Sequence, residues 1–214
     1  MSTSTSPAAQ GSNVLPSIGI IGAGAIGSAV ARALARRNIP AVLSNSRGPE
    51  SLAPRVRELG GAITAGTREQ AARADVVFVA VNWSKLPTAL AGLPDWKGRV
   101  VIDTNNPIEP PDFKPANLGG RLSSEVLAGL VPGAKVVKAF GHLPAKLLSD
   151  EPASNGGRRV LFYSGDDAQA RATVGALIDR LGFFGVDLGT IAVGGSLTRI
   201  PGGPLSIHHF AKLG

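Results

Sequence analysis

The chain has 214 residues, 43% of them hydrophobic and 17% charged, which is enough apolar material for a sizeable core and too little charge for intrinsic disorder. With no cysteine, disulfides, thiolate metal sites and cysteine nucleophiles are excluded. No apolar run reaches the roughly 18 residues of a membrane span. The opening stretch MSTSTSPAAQGSNVLPS carries neither the basic nor the apolar segment of a secretory signal, so a cytoplasmic enzyme is expected. The formal charge is +7, but lysine and arginine are scattered, with no run longer than Arg36-Arg37 or Arg158-Arg159. No nucleic-acid-binding motif accompanies them. The charge is read as serving solubility or as attracting small anions such as phosphorylated cofactors. Neither nucleic acid nor a membrane is expected as a partner.

Residues 1–16 are rich in Ser, Thr, Pro, Ala and Gly without periodicity, and are read as a disordered tail. From Ser17 onward short β-type runs alternate with helical patterns. Ser17–Ile21 reads as a strand, followed by a helix from about Gly24 to Arg37 with Ile26, Val30, Ala33 and Leu34 on one face. Ala41–Ser44 is the second strand. Leu52, Val56 and Leu59 mark a short helix that tolerates Pro54 in its first turn, and Ala62–Ala65 is the third strand. Thr67 and Gln70 have the spacing of a capping box. Val76–Val81 is apolar throughout, as a strand buried on both faces should be. A helix near Lys85–Leu93 and a strand at Arg99–Asp103 follow, and then a long Pro-rich loop, Thr104–Leu122. Ser123 or Ser124 is expected to cap a helix ending at Leu130. Strands at Lys135–Phe140 and Arg158–Ser164 precede an amphipathic helix that opens at Asp166-Asp167. Phe184–Leu188 reads as the last strand, and the Gly-rich tail 189–214 as weakly helical near its end. This alternation predicts an α/β fold with a doubly wound, mostly parallel sheet of about eight strands. One domain over 17–214 is expected, with a small C-terminal extension at about 135–214.

Gly22-Ala23-Gly24-Ala25-Ile26-Gly27 is a G-x-G-x-x-G. The pattern alone is weak in a chain with 28 glycines, but here it follows an apolar strand and opens an amphipathic helix within the first βαβ unit. In that context Gly22 permits a tight turn, Gly24 lets the backbone approach a pyrophosphate, and Gly27 allows close helix–strand packing. With Ala25 and Ile26 they form the candidate phosphate site at the helix N-terminus. A P-loop is excluded, because Ser28 stands where a lysine would be needed. After the second strand, a site for NAD usually presents Asp or Glu to the ribose 2′-hydroxyl. This chain offers Ser44, Asn45, Ser46 and Arg47, and its first carboxylate there is Glu50. Hydroxyls and a guanidinium bind a 2′-phosphate that a carboxylate would repel. The same residues are also ordinary turn chemistry. NADP(H) is the predicted cofactor.

These residues, with Gly48-Pro49-Glu50-Ser51-Leu52, resemble the NADPH-dependent coenzyme F420 reductases (F420H2:NADP oxidoreductases). Matches continue in order at Ala65-Gly66-Thr67, Ala74-Asp75-Val76-Val77, Trp83 with Leu86-Pro87, and Leu118–Arg121 with Ser123-Ser124-Glu125. They extend through Val131–Ala134, Val137–Phe140, Ser164–Asp167 and Pro201–Leu205, covering about residues 17–212. The resemblance implies a Rossmann domain whose C-terminal extension helps to clamp a deazaflavin, coenzyme F420, over the nicotinamide, and it implies a homodimer, to which Pro204–Phe210 could contribute. It also directs attention to the carboxyl edge of the sheet, adding Val81, Asn82, Trp83, Asn106, Ala139 and His142 to the candidate cofactor-binding residues. Three departures fall on that edge. Asn82 stands where the family commonly has Pro, Thr104-Asn105-Asn106-Pro107 replaces Thr-Asn-Pro, and Gly141-His142 follows Lys138-Ala139-Phe140 where an Asn is usual.

Hydride transfer between nicotinamide and deazaflavin requires stacked rings and excluded water, and the cofactors carry the chemistry. No catalytic residue is therefore demanded. His142 is the best-placed candidate for a polar contact to the acceptor, and is equally a loop histidine satisfied by backbone. Trp83 either lines the nicotinamide pocket or belongs to the core. His208-His209 lack neighbours at ligand spacing, so no metal is expected. Three activities stay open: hydride exchange with F420, reduction of another small-molecule acceptor (flavin, quinone, carbonyl or imine), and non-catalytic NADP binding.

Overall fold

A four-residue apolar run can satisfy its backbone only by pairing, and Ile18–Ile21 (β1), buried throughout, is the strand from which the fold is built. The structure is a computed structural model describing residues 16–108, 111–154 and 156–214, so apart from Pro16 the tail read at 1–16 lies outside the described residues. The chain turns at Gly22–Gly24 into α1 (Ala25–Arg36), which buries Ala29, Val30, Ala33 and Leu34. Strand β2 (Ala41–Ser44), helix α2 (Ala53–Leu59) and strand β3 (Ile63–Ala65) follow. Helix α3 (Arg68–Ala72) starts at the predicted capping box. The Thr67 hydroxyl accepts from the Gln70 amide, and the Gln70 side chain accepts from the Thr67 amide.

Next come β4 (Val76–Val79), α4 (Leu86–Leu90), β5 (Val100–Asp103), α5 (Ser123–Leu130) and β6 (Lys135–Ala139). Helix α5 is capped differently from the expectation. Ser123 and Ser124 lie inside it, and the Glu125 carboxylate accepts from the backbone amide of Leu122, which occupies the N-cap. Helix α6 (Ala145–Ser149) and the two-residue β7 (Ala153–Ser154) lead into β8 (Gly157–Gly165). Then follow α7 (Ala168–Arg180), capped by the Asp167 carboxylate, and β9 (Phe184–Asp187). A single π-turn, Ile191–Gly195, runs into the short α8 (Ser196–Thr198), and β10 (Ala211–Leu213) comes last.

Strands β3-β2-β1-β4-β5-β6 are parallel, and the order reverses between β1 and β4, the point where doubly wound sheets bind ligands. β8 runs antiparallel to β6 and β9 parallel to β8, while β7 and β10 pair antiparallel with the first residues of β8. Among the described residues the sheet has ten strands rather than about eight. The two additions are edge pieces of two and three residues, too short to show periodicity. The end of the chain, expected to be weakly helical, is extended as β10.

Alternation along the strands divides the core in two. Ile20, Phe78, Ile102 and Val137 face α1, α6 and α7, and Ile21, Val77, Val79 and Val101 face α3, α4 and α5. Phe78 and Phe140 meet edge to face at 5.2 Å, a geometry that contributes about 0.5–1.5 kcal/mol beyond burial. Among the described residues no helix is long and apolar enough to cross a membrane.

Candidate cofactor site

The turn after β1 is shaped by contact as much as by conformation. Gly22 has φ +109°, and a Cβ there would lie 2.1 Å from the Ala80 carbonyl oxygen. Its amide donates to the Ser44 carbonyl at 3.0 Å, while the Ala80 amide donates to the Ile21 carbonyl at 2.8 Å. The turn is thus fastened to β2 on one side and to the end of β4 on the other. At Gly27 a Cβ would sit 1.9 Å from the Gly22 carbonyl oxygen, so α1 presses directly on the turn. Gly24 differs: it is exposed, with nothing within 4 Å of its Cβ position. No side chain caps α1, which leaves its first amides for an anion.

Beside this turn lies a cleft of about 610 Å³, lined by Gly22, Gly24, Asn45, Ser46, Arg47, Arg68, Val81, Asn82, Lys85, Thr88 and Ala89 among others. Its charged lining residues are Arg47, Arg68 and Lys85, with no carboxylate. Ser46 and Arg47 are exposed because the loop behind them is self-bonded. The Asn45 side chain accepts from the Arg47 amide at 2.9 Å and donates to Ser51 Oγ at 2.8 Å, and Ser51 Oγ donates to the Gly48 carbonyl at 2.7 Å. Ser44, predicted to bind cofactor, instead points inward, is fully buried and donates to the Ile20 carbonyl at 2.9 Å. It shapes the site without reaching it.

The opposite wall was not legible in sequence. Arg68 donates to the Thr88 and Ala89 carbonyls at 2.8 and 3.0 Å, satisfying acceptors that the last turn of α4 leaves unpaired. This brings its guanidinium into the cleft. Its position at the head of α3 was a local signal, but the pairing with α4 required tertiary structure.

The far end of the cleft rests on a buried polar network. Asp103 at the end of β5 is fully buried and Lys138 on β6 is 4% exposed. The Asp103 carboxylate accepts from Ser124 Oγ (2.6 Å), Lys138 Nζ (3.4 Å), and the Asn105 amide and side chain (2.9 Å each). Lys138 also donates to the Asn105 carbonyl. Asn105 in turn donates to the Val79 carbonyl at 3.0 Å and accepts from the Val81 amide at 3.1 Å. Two opposite charges therefore hold the turn that presents Val81 and Asn82. Neither charge was singled out from sequence.

The remaining predicted residues are placed elsewhere. Ala25 is exposed beside the glycine turn and lines an adjoining hollow, and Ile26 packs on the core. Trp83 is half-buried on a one-turn 3-10 helix, Trp83–Lys85, and lines a separate hollow of about 300 Å³ with Pro107, Ile108 and Lys114. Asn106 donates to the Gly141 carbonyl at 2.7 Å, bracing the corner after β6, and Ala139 is buried within that strand. His209 accepts from Arg159 Nε at 3.0 Å.

His142 corrects an expectation. Read as the best-placed contact for the acceptor, it is 3% exposed and packs on Phe162 at 5.2 Å, and its carbonyl accepts from Ile207 of the C-terminal segment at 3.1 Å. The corner after β6 turns it into the interior. Burial pushes its pKa down from 6.5 to about 4, the Lys138 ammonium adding to the effect, while a backbone hydrogen bond at Val160 opposes it. The folded protein therefore keeps the ring neutral while the unfolded chain protonates it from its ordinary value downward. Between the two pKa values the unfolded state binds more protons, so stability is full above about pH 6.5 and falls as pH drops toward about 4. His142→Gln is expected to flatten that decline, as read by urea denaturation at several pH values. An unchanged slope in the variant would count against this assignment.

Residues 17–107 match the family model described as NADP oxidoreductase, coenzyme F420-dependent. A hypothetical protein, SMa0349 from Sinorhizobium meliloti, is 45% identical with a TM-score of 0.88, covering 93% of this chain and 96% of that one. A candidate F420-dependent NADP reductase from Arthrobacter sp. FB24 is 27% identical with a TM-score of 0.70, covering 83% and 86%. The metalloreductase STEAP3 of Rattus norvegicus is 31% identical over 190 residues, which is 87% of this chain; the chain spans 36% of that protein's length.

Proposed function

Since the chain belongs, through residues 17–107, to the coenzyme F420-dependent NADP oxidoreductase family, we propose that it exchanges a hydride between NADPH and a deazaflavin of the F420 type. The observation that carries the cofactor half is the cleft itself, where a glycine turn with no room for a Cβ at Gly22 or Gly27 meets three cationic side chains and no carboxylate. The donor set fits NADP. Gly24 and the first amides of α1 would hold the pyrophosphate, and Ser46 and Arg47 the 2′-phosphate. Arg68 forms the facing wall. When bound, NADPH supplies a hydride from its nicotinamide ring. The protein's task would be to fix that ring's position, and the bonds from Asn105 to Val79 and Val81 hold the end of β4 that lines the cleft.

An F420-type acceptor is supported by the family and by the net charge of +7, since that coenzyme has an anionic tail. A second reading, reduction of a different acceptor with NADPH, draws on Asn82, Asn106 and Gly141, the three departures at the carboxyl edge, and on the resemblance to a metalloreductase. NADPH oxidation measured with F420, FMN and riboflavin in turn, with NADH as control, tests both. Turnover with F420 and NADPH supports the first reading. NADPH binding with F420 untouched overturns it and leaves the cofactor assignment standing.

Arg47→Ala is expected to weaken NADPH by roughly 10- to 100-fold, the loss of one charge-assisted hydrogen bond, and NADH by less than about twofold. Titration with both dinucleotides checks this, and equal losses would remove the 2′-phosphate assignment.

A further inference from the structure

The glycine turn separates two hollows. On one side is the cofactor cleft. On the other is a space of about 420 Å³ that shares Ala23 and Gly24 with the cleft and is otherwise bounded by the first turns of α1 and by Arg32, Arg55 and Glu58. Arg55 reaches across this second hollow from α2. Its guanidinium donates to the Ala23 carbonyl at 2.9 Å and bonds to Ser28 Oγ. Ser28 Oγ itself donates to the same carbonyl at 3.1 Å, and the Ser28 amide donates to the Gly24 carbonyl at 3.0 Å. The Ala23 oxygen is thus held from two sides.

A trans peptide points its C=O and N–H in opposite directions. Holding the Ala23 carbonyl toward Arg55 therefore aims the Gly24 N–H away from α2, toward the cleft. Gly24 offers no steric resistance to another orientation, since nothing lies within 4 Å of its Cβ position. The conformation of this peptide must be imposed from outside. Glu58 makes its ion pair with Arg32 at 2.8 Å, and Arg55 acts on it only through charge at longer range.

We propose that Arg55 is a positioning residue for dinucleotide binding: it locks the Ala23–Gly24 peptide with its N–H facing the pyrophosphate, and places a cation behind that peptide. The role rests on the reading of the cleft as a dinucleotide site, and it does not depend on the acceptor. It also differs from that of Arg47, because Arg55 acts through a backbone amide common to every dinucleotide and not through the 2′-phosphate.

The test is calorimetric titration of wild type, Arg55→Met and Arg55→Lys with NADPH, NADH and 2′-AMP, alongside thermal unfolding of each unliganded protein. Arg55→Met keeps the aliphatic stem and removes the donors. It is expected to weaken NADPH and NADH by the same factor, about tenfold, with 2′-AMP unchanged within twofold and unfolding unaltered because the side chain is exposed. Arg55→Lys should recover part of the loss. Unchanged dinucleotide affinities in Arg55→Met would overturn the proposal, as would a loss confined to NADPH or shared by 2′-AMP. Failure of the wild type to bind either dinucleotide would instead overturn the cleft assignment on which the proposal stands.

Discussion

Gly27→Ala is expected to eliminate measurable NADPH binding and to cost about 1–3 kcal/mol of stability, the usual range for overpacking a close contact. The added methyl would lie 1.9 Å from the Gly22 carbonyl oxygen and 3.4 Å from the Ala80 Cβ. Neither neighbour can yield cheaply. Gly22 is held by its amide's bond to the Ser44 carbonyl and by the Ala80 carbonyl packed against its Cα, and Ala80 by its amide's bond to Ile21. α1 must therefore withdraw from the turn, carrying its N-terminal amides out of register with the phosphates. Gly24→Ala is the informative partner. Its methyl meets nothing within 4 Å, and its φ of −73° suits any residue, so unfolding should shift by no more than about 0.5 kcal/mol. Binding should still fall, because the methyl occupies the space a pyrophosphate needs. Urea denaturation and dinucleotide titration of the two variants separate fold from site. A Gly27→Ala protein that binds NADPH within threefold of wild type would show that the helix moves at no cost.

Lys138→Met should destabilise the protein by about 3–5 kcal/mol, the range found when one partner of a buried ion pair is removed. The Asp103 carboxyl would keep its bonds to Ser124 and Asn105 but would lose its cationic partner in a fully buried site. Restoring charge balance with Asp103→Asn in the same chain is expected to recover more than half of the loss, because an amide retains most of those contacts. NADPH affinity should fall in the single variant as well, since Lys138 also holds the Asn105 carbonyl, and Asn105 positions the end of β4. Denaturation of both singles and the double gives the coupling energy directly. A cost below about 1 kcal/mol for Lys138→Met would mean the pair is not energetically joined.

How much of this could be read in advance depended on whether the cause was local. The glycine turn, the Thr67 cap, the strand Ala41–Ser44 and the apolar run read as Val76–Val81, of which Val76–Val79 forms the strand, were legible because spacing and residue type within a few positions decide them. The mostly parallel direction of the sheet was legible too, but the direction of β8 was not. Alternation of strands and helices suggests parallel pairing, yet the link between β6 and β8 holds only the five-residue α6 and the short β7, and β8 enters antiparallel. Side-chain direction failed at strand ends for the same reason. Ser44 and His142 look available as polar residues beside loops, and both turn inward because the backbone there still follows the sheet or its corner. Asp103 and Lys138 escaped notice because each looks like an ordinary charged terminus until β5 and β6 are paired, when they stand opposite each other. Two opposite charges at matching ends of apolar strands were the signal.

The residues around the main cleft all come from positions 21–89, and β6, α6, the antiparallel β8 and the C-terminal segment contribute none of its lining. The lining of the cleft is therefore local in sequence, while its bracing is not. Changes in β8 or the C-terminal segment leave that lining untouched, whereas changes at Lys138 reach it through Asn105.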